Sequence, residues 1–379
     1  MNSYYKIIRS SGFPCGINNC SLGSKQNNQI SSIKKELSLS DIDAKKLFKY
    51  SRSSSSKIIS CTYNGEIYSN EKDFIKQLPL DFPVKAHIEL TNLCNLSCKH
   101  CYHPKILEDT NSVMDVISVL IDSGTLIFEL IGGEPFLYKN LYEVLKLINV
   151  ENRLIYLISN GQLINSEVAK ALSRYENLKI IISIDGDKSF MKFLRGPNTY
   201  ERAIKSIKLL VANNIPVSLN MILSTQNIKY LEHVINLGRE LSVKSIKLIP
   251  LKPYTHSDEM TRMVLSRKKL DRVFKNAQHF GRNIGINVTG EIGQIIMNPS
   301  FYGCSSGITD ISVDPLGNVM LCPVKRDINF GNILDTPISD IWLSLWNYIN
   351  TKSEPECMNC VYSDLCFEKC RDCFPLYKN

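Results

Sequence analysis

The residues of this sequence best suited to chemistry are its cysteines, of which there are 13. Cys94, Cys98 and Cys101 have the spacing C-x3-C-x2-C and are followed by an aromatic residue. Thiolates are soft ligands for zinc and for iron–sulfur clusters, and three of them can hold three irons of a four-iron cube while the fourth iron stays open. Structural zinc normally takes four protein ligands, and His100 or His103 could be the fourth. The spacing favours an iron–sulfur cluster, with zinc as the alternative.

Polar residues that could bind a ligand follow several apolar runs downstream of these cysteines. One run ends in Gly-Gly-Glu-Pro at residues 132–135. Glycines let a backbone approach a ligand closely, and a carboxylate suits an ammonium group, although these four residues alone are also typical of a tight turn. The candidates at later runs are Ser159, Asn160, Ser183, Asp185, Arg195 and Asn220. Capping or turn formation is the alternative for most of them, whereas the Arg195 guanidinium is well suited to a carboxylate.

Seven further cysteines are concentrated in the C-terminal part of the chain. They are Cys304, Cys322, Cys357, Cys360, Cys366, Cys370 and Cys373. In an intracellular chain such a pattern indicates metal binding rather than disulfides. A zinc ribbon built from the four cysteines between positions 357 and 370 is the alternative to iron–sulfur. The three remaining cysteines, Cys15, Cys20 and Cys61, are interpreted as incidental thiols.

The elements that must position these residues alternate from about Val84 onward. Short apolar runs, typical of strands, alternate with longer amphipathic stretches, typical of helices. The predicted strands are 86–90, 127–131, 154–159, 179–185, 217–222 and 245–250, and the predicted helices are 113–123, 140–148, 166–175, 199–213, 228–241 and 265–282. Six strand–helix units in sequence imply parallel pairing. We expect an open, partial (β/α)6 barrel with its chemistry at the carboxyl ends of the strands.

Changes in pattern divide the chain into three predicted segments. Residues 1–83 form a small α+β region, with a helix near 33–50 and a hairpin over 57–68 that turns at Asn64-Gly65. Residues 84–290 form the α/β core. Residues 291–379 form a bridging segment and the cysteine-rich domain, with a strand pair over 311–322 and a helix over 338–349.

Composition narrows the possible partners. The formal charge is +8, but the basic residues are scattered along helical segments, so we expect no nucleic acid partner. No apolar run is long enough for a membrane span, and the first residues lack the pattern of a secretory signal. These features predict a cytoplasmic protein without membrane association.

The cysteine loop resembles the signature of the radical S-adenosylmethionine (SAM) superfamily, and several downstream motifs agree. Residues 132–135 match the "GGEP" element of that family, and Ser159-Asn160-Gly161 is similar to its "TNG" element. The C-terminal cysteines resemble the SPASM domain of radical SAM maturases in their x2, x5 and x3 spacings. The resemblance covers about residues 84–379.

The resemblance implies a set of cofactors and their contacts. Cys94, Cys98 and Cys101 would hold the catalytic [4Fe–4S] cluster. The SAM contacts would be Tyr102, Gly132, Gly133, Glu134, Pro135, Ser159, Asn160, Ser183, Asp185, Arg195 and Asn220, with some of these facing the substrate instead. Two auxiliary [4Fe–4S] clusters would bring the total to three. The first would take Cys304, Cys322 and Cys370, and the second would take Cys357, Cys360, Cys366 and Cys373. One iron of the first auxiliary cluster would then be open, and we hypothesise that a substrate thiolate binds there.

The resemblance also implies the class of reaction. An electron from the reduced cluster cleaves SAM to methionine and a 5′-deoxyadenosyl radical, which takes a hydrogen from the substrate. The low-potential electron donor would be a flavodoxin or ferredoxin. SPASM enzymes typically modify ribosomally made peptides, and residues 1–83 would fit a module that binds the leader of a precursor peptide.

The reaction itself is less defined by the sequence than its class. Pro323 follows Cys322, where sulfatase activators of the family carry an Asp, which argues against sulfatase activation. The open iron favours thioether crosslinking. Epimerisation, carbon–carbon crosslinking, maturation of a protein or small-molecule cofactor, and a non-enzymatic metal-binding adaptor are the alternatives.

Overall fold

The computed structural model describes residues 51–52, 59–63, 66–68, 82–103, 112–150, 153–251, 259, 262–290, 306–307, 310–324 and 326–351. The predicted helix near 33–50 lies outside these residues. The predicted hairpin over 57–68 corresponds to β2 (Ile59–Tyr63) and β3 (Glu66–Tyr68), and β1 (Ser51–Arg52), which was not predicted, pairs with β2 to complete a small antiparallel sheet. Tyr63 is paired with Glu66, as expected for a two-residue turn.

Within the described residues, the core is a ten-stranded sheet, and the seven strands that come first in sequence are parallel to one another. They are β4 (Lys85–Glu89), β5 (Ile127–Ile131), β6 (Leu154–Ser159), β7 (Leu178–Ser183), β8 (Val217–Leu223), β9 (Ser245–Pro250) and β10 (Asn287–Gly290). The six predicted strands are all present. Strand β10 was not predicted because it is only four residues long, Asn-Val-Thr-Gly, and Val288 is its one apolar residue, so it shows no apolar run. It pairs with β9 and extends the sheet by one strand.

Helices cover one face of this sheet. They are α1 (Val113–Asp122), α2 (Leu141–Ile148), α3 (Ser166–Leu172), α4 (Lys188–Arg195), α5 (Thr199–Ala212), α6 (Leu231–Glu240) and α7 (Arg267–Asn283). Their apolar stripes bury against alternate strand residues such as Ala86, Ile88, Phe128 and Leu130. Helix α4 was not predicted separately. Among the described residues, no helix has the length and apolar character needed to cross a membrane.

The other face of the sheet is concave and carries charged residues. Lys247 on β9 interacts electrostatically with Glu129 on β5, although three strands separate β9 from β5 in the sheet. In a flat sheet these strands would be roughly 19 Å apart, at about 4.8 Å per strand. The sheet must therefore curve so that its two ends face each other, as in a partial barrel.

The C-terminal segment continues the same sheet beyond β4. Strand β11 (Asp310–Val313) pairs with β4 in parallel, and β12 (Asn318–Met320) and β13 (Asn329–Asn332) follow as antiparallel neighbours. The predicted strand pair over 311–322 corresponds to β11 and β12. Helix α8 (Ile338–Thr351) matches the predicted helix, and Trp342 on it is buried in the core.

Candidate functional site

The three closely spaced cysteines lie in the loop that follows β4, at the carboxyl end of the sheet. Two elements hold the backbone of this loop. The N–H of Lys99 donates to the carbonyl of Leu194 at the end of α4, at 2.9 Å, and the N–H of Glu134 donates to the carbonyl of Leu93, at 2.7 Å. The loop is thus attached to two other strand–helix units, those that begin with β5 and β7.

The three thiols lie close enough to influence one another. Burial, followed by the influence of neighbours that include Cys94 and Cys101, raises the pKa of Cys98 to about 11. Burial also raises the pKa of Cys94. Among the described residues, no three His, Cys, Asp or Glu side chains converge tightly enough for a single metal ion. Three thiolates that each bind a different iron suit a four-iron cube, whereas a structural zinc site normally takes four protein ligands.

The two glycines of residues 132–135 allow the cysteine loop to pack directly against them. A Cβ on Gly133 would lie 2.0 Å from the carbonyl oxygen of Leu93, and one on Gly132 would lie 2.5 Å from that of Thr91. Gly132 also has φ of +138°, which favours glycine. The N–H of Gly133 donates to the Thr91 carbonyl at 2.8 Å. Close packing of backbone on backbone therefore explains both glycines.

Glu134 is the centre of a buried hydrogen-bond network beside this loop. Its Oε1 accepts from the hydroxyl of Ser159 at 2.7 Å, and its Oε2 accepts from the N–H of Asn160 at 2.9 Å. The Asn160 side-chain amide donates to Asn95 of the cysteine loop at 2.8 Å. Burial raises the pKa of Glu134 to about 7, although these hydrogen bonds and Arg195 oppose the shift. The structure thus brings the carboxylate, Ser159, Asn160 and the cysteine loop together.

Pro135 and Tyr102 have different surroundings. Pro135 begins a short 3₁₀ turn that Glu134 caps through the N–H of Phe136. Burial raises the pKa of Tyr102 well above its usual value, and Glu89 and Cys101 add to this effect. Tyr102 also lies close enough to Cys322 to interact with it electrostatically. This tyrosine therefore lies near thiols from two separate parts of the chain.

Asp185 and Arg195 form a buried ion pair near the cysteines. Arg195 Nε donates to Asp185 Oδ2 at 2.5 Å, and the other carboxylate oxygen accepts from the N–H of Ile222 at 2.8 Å. The pKa of Arg195 is raised: burial opposes the shift, but Asp185 and the nearby Cys98 outweigh it. Arg195 therefore lies near Cys98 of the cysteine loop, and its carboxylate partner among the described residues is Asp185.

A second charged cluster was not predicted from the sequence. Glu89, at the end of β4, is fully buried and accepts a hydrogen bond from Arg326, which follows the Cys322 loop. Its other oxygen lies 3.2 Å from His103 Nε2. The cluster therefore links the end of the cysteine motif to the Cys322 loop. Its signal in the sequence is the series Lys85, His87 and Glu89, which alternates with apolar residues along β4.

Of the seven C-terminal cysteines, Cys322 lies within the described residues, just after β12. The other six lie outside them, as do Cys15 and Cys20. The predicted division of ligands between two auxiliary clusters is therefore carried by the sequence pattern alone.

Two protein families match the chain over separate stretches. Residues 88–238 match the family described as the radical SAM superfamily, which spans β4 through most of α6. Residues 304–374 match the SPASM family, described as an iron–sulfur cluster-binding domain. The two matches imply iron–sulfur clusters and SAM binding. They also fit the partial barrel and the cysteine-rich segment predicted from the sequence.

Several named proteins are similar to this chain in sequence, and solved structures are similar to it in fold. A protein of Bacillus subtilis named antilisterial bacteriocin subtilosin biosynthesis protein AlbA is 24% identical over 313 residues, covering 76% of this chain and 67% of AlbA. The radical SAM cyclopropyl synthase TigE of Paramaledivibacter caminithermalis is 28% identical, covering 81% and 73%. The crystal structure of Streptococcus suis SuiB bound to its precursor peptide SuiA has a TM-score of 0.66 at 16% identity, covering 96% and 83%. The likeness to SuiB shows the fold.

Proposed function

We propose that this chain, an enzyme that belongs to the radical SAM superfamily and carries a SPASM domain, modifies a ribosomally made peptide by joining a cysteine sulfur to carbon. The observation that carries the proposal is the buried Glu134 network, which adjoins the loop of Cys94, Cys98 and Cys101 at the carboxyl end of the sheet. A peptide substrate is supported by the names of AlbA and of the SuiB complex with SuiA.

Each group of residues in the site would have its own role. The three thiolates would hold a [4Fe–4S] cluster, which supplies the electron that cleaves SAM to methionine and a 5′-deoxyadenosyl radical. The Glu134 carboxylate would accept hydrogen bonds from the SAM ammonium group. Ser159 and Asn160 would keep that carboxylate oriented, and Arg195, anchored by Asp185, would place its positive charge beside the cluster and the SAM carboxylate.

Three clusters and an open auxiliary iron are further parts of the proposal. The first auxiliary cluster would take Cys304, Cys322 and Cys370, and the second would take Cys357, Cys360, Cys366 and Cys373. An iron with three protein thiolates could bind the thiolate of a substrate cysteine. This arrangement supports thioether formation, in which the carbon would lose a hydrogen atom to the 5′-deoxyadenosyl radical, the thiol would lose its proton, and the auxiliary cluster would take up the remaining electron as the sulfur–carbon bond forms.

Carbon–carbon bond formation is the second candidate reaction. TigE, which is 28% identical to this chain, is named a cyclopropyl synthase. In that case the auxiliary clusters would carry electrons rather than bind a substrate sulfur. A peptide substrate without cysteine would separate this candidate from thioether formation.

The remaining assignments complete the proposal. Residues 1–83 would bind the leader of the precursor peptide, residues 84–290 would form the radical SAM core, and residues 291–379 would hold the auxiliary clusters. A low-potential flavodoxin or ferredoxin would supply electrons in a reducing cytoplasm.

Anaerobic reconstitution tests the proposed function. We expect about twelve irons per chain, falling to about eight when Cys94, Cys98 and Cys101 are all replaced by Ala, on the basis of four irons per cluster. The triple variant should also lose dithionite-dependent formation of 5′-deoxyadenosine from SAM. Replacement of Cys61, which belongs to neither ligand set, by Ala is the matched control. Bound zinc in place of iron, or a wild-type protein that cleaves no SAM, would overturn the proposal.

The peptide is tested separately. A short, cysteine-containing peptide encoded beside this gene should lose two hydrogens in mass after turnover, and alkylation should no longer reach the modified cysteine. A product whose cysteines all remain open to alkylation would exclude thioether formation and favour the carbon–carbon alternative.

A further inference from the structure

A row of polar side chains crosses the concave face of the sheet on its last four parallel strands. Ser183 on β7 is paired with Asn220 on β8, Asn220 with Lys247 on β9, and Lys247 with Thr289 on β10. The four residues therefore lie side by side across the strands. Successive strand residues point to opposite faces, and the neighbours of these residues pack in the core with the helices: Leu219, Met221, Ile246, Leu248 and Val288.

The position of this row relates it to the proposed SAM site. Ser159, which bonds to Glu134, is paired with Ile182 on β7. Ser183 is the next residue along β7, so the row begins one residue beyond the level of Ser159, toward the carboxyl ends of the strands. It continues from there onto β8, β9 and β10, away from the cysteine loop.

Two residues beyond Ser183, on the same face as the row, Asp185 accepts a hydrogen bond from the N–H of Ile222 on β8. Asp185 also pairs with Arg195, which interacts electrostatically with Cys98 of the cysteine loop. The Ser183 end of the row would therefore lie beside the Asp185–Arg195 pair and the proposed SAM site.

Two buried atoms in the row lack a partner within the described part of the chain. Asn220 is 5% exposed and Thr289 is 8% exposed. Neither the Asn220 side-chain oxygen nor the Thr289 hydroxyl makes a hydrogen bond to any described residue. Buried polar atoms are normally hydrogen-bonded, and leaving one without a partner destabilises the fold. A ligand that supplies the missing partners would remove this cost.

Lys247 lies between these two residues and gives the row a positive charge. It is half-buried on β9 and interacts electrostatically with Glu129 across the concave face. Its ammonium group has only donors to offer. The Asn220 oxygen only accepts, and the Thr289 hydroxyl can do either. The row thus presents an acceptor, a strong donor and an adaptable hydroxyl in register on neighbouring strands.

We propose that Asn220, Lys247 and Thr289 form a subsite for a main-chain peptide group of the substrate. This inference rests on the proposed function and extends it to the residues that would hold the peptide beside SAM. A peptide group offers an N–H to the Asn220 oxygen and a carbonyl oxygen to Lys247 within the same rigid plane. The ribose hydroxyls of SAM offer similar hydrogen-bonding chemistry, so the experiment must separate the two ligands.

Binding of a capped tripeptide to the SAM-loaded, reconstituted protein tests the subsite. The probe is N-acetyl-Gly-Ala-Gly-amide, which has peptide groups but no thiol and no charged terminus. A second probe is the same tripeptide with every peptide nitrogen methylated. We expect the wild-type protein to bind the first probe more tightly than the second in an NMR titration. Lys247→Met should weaken binding of the first probe by about tenfold and Thr289→Val by a few fold, as expected for the loss of a charged and a neutral hydrogen bond.

The controls separate the subsite from the SAM site and from loss of folding. Lys244→Met, the same change at an exposed position three residues earlier, should leave tripeptide binding unaltered. SAM affinity, measured without peptide, should change less than twofold in Lys247→Met and Thr289→Val, which also shows that the fold is intact. Loss of SAM affinity would assign the row to SAM and overturn the proposal. Equal binding of both probes, or no binding by the wild-type protein, would overturn it as well.

This experiment does not depend on turnover. A protein that cleaves SAM but leaves every peptide unmodified would contradict the proposed function. A protein that modifies a peptide while Lys247→Met binds the tripeptide normally would contradict only the subsite.

Discussion

At the scale of single residues, burial determines the chemistry of the site. The Glu134 carboxyl and the Asp185–Arg195 pair are both buried, but burial affects their charges differently. Among the described residues Glu134 forms no ion pair, and burial outweighs its hydrogen bonds and the more distant charge of Arg195, so its pKa is raised to about 7. Asp185 and Arg195 neutralise each other. A bound cation at Glu134 would restore its charge, which is consistent with a site for the SAM ammonium group.

The first prediction concerns SAM binding to Glu134. With a pKa of about 7, this carboxyl is largely protonated at pH 6 and largely ionised at pH 8. We expect the affinity of the wild-type protein for SAM to increase as the pH rises from 6 to 8, because the ionised form pairs with the ammonium group. Glu134→Gln should bind SAM at least tenfold more weakly at pH 8, which is about 1.4 kcal/mol, and should lose this dependence on pH. Calorimetric titration at both pH values measures the effect. An unchanged pH profile in the Gln variant would place the titrating group elsewhere.

The second prediction concerns the buried ion pair. Arg195→Met leaves Asp185 charged and buried, and we expect a loss of about 3–5 kcal/mol in the free energy of unfolding. Arg202→Met, the same change at an exposed position on α5, should shift stability by less than about 0.5 kcal/mol. Urea denaturation under anaerobic conditions measures both. Combining Arg195→Met with Asp185→Asn should recover part of the loss, and a double variant no more stable than the single one would argue against an unpaired charge as the cause.

At the scale of elements, the loops of neighbouring strands hold one another in place. The segment Thr91 to Leu93 enters the cysteine loop and packs on the Gly132–Gly133 backbone, while Lys99 is bonded to the end of α4. Side chains there would separate the two strand ends, so the glycines set the distance between the cysteine loop and Glu134. This backbone contact therefore places the cysteine loop beside Glu134.

The third prediction follows from this contact. Gly133→Ala places a methyl group 2.0 Å from a carbonyl oxygen of the backbone, which cannot be accommodated without moving the cysteine loop. We expect the variant to retain the auxiliary irons but to lose most of the iron held by the first three cysteines, together with SAM cleavage. Iron analysis and 5′-deoxyadenosine formation are the measurements.

The matched control is Gly285→Ala, at the end of α7. Gly285 has a positive φ, of +78°, which Gly133 does not share, and an added Cβ there meets nothing within 4 Å. The control therefore adds a methyl group and some backbone strain without a clash, and it should keep the full iron content. Equal iron loss in both variants would show that close packing against the cysteine loop is not the cause.

At the scale of the whole molecule, the radical SAM and SPASM segments share one sheet. Strand β11 from the C-terminal segment pairs with β4, and buried charges join them. Asp310 Oδ2 lies 3.1 Å from His87 Nε2 and 3.8 Å from Lys85 Nζ. The Glu89–Arg326 hydrogen bond joins the same two segments nearer the cysteines. The Cys322 loop is thereby held against the end of the cysteine motif.

The fourth prediction tests the charged contact between β11 and β4. Burial and Lys85 lower the pKa of His87, but Glu129 and Asp310 outweigh them, so that its pKa is raised above 6.5. Protonated His87 therefore contributes stability that is fully present below about pH 6.5 and is lost as the pH rises through the raised value. Asp310→Asn removes one carboxylate, so we expect lower stability at pH 6 and a flatter dependence on pH above it. Urea denaturation at several pH values measures this. A variant with the wild-type pH dependence would show that Asp310 does not hold the proton on His87.

The sequence determined most of the fold and the cysteine motif on its own. Parallel strands alternating with helices follow from local hydrophobic periodicity, and the cysteine spacing and the Gly-Gly-Glu-Pro segment are local patterns too. The strands β4 to β9 and the helix α8 were predicted for this reason. The local signal was insufficient at β10, a four-residue strand held in place mainly by its pairing with β9 and its packing against α7.

Only the tertiary structure decided which distant side chains meet. Arg326 reaches Glu89 across 237 positions of sequence, and Asn160 reaches Asn95 across 65. Likewise, Asn220 and Lys247 are neighbours because of strand register, which no local pattern specifies. Contacts of this kind depend on the curvature of the sheet and the pairing of its strands. Both are cooperative properties of the folded chain, since a shift of one residue in register would turn every side chain of a strand to the opposite face.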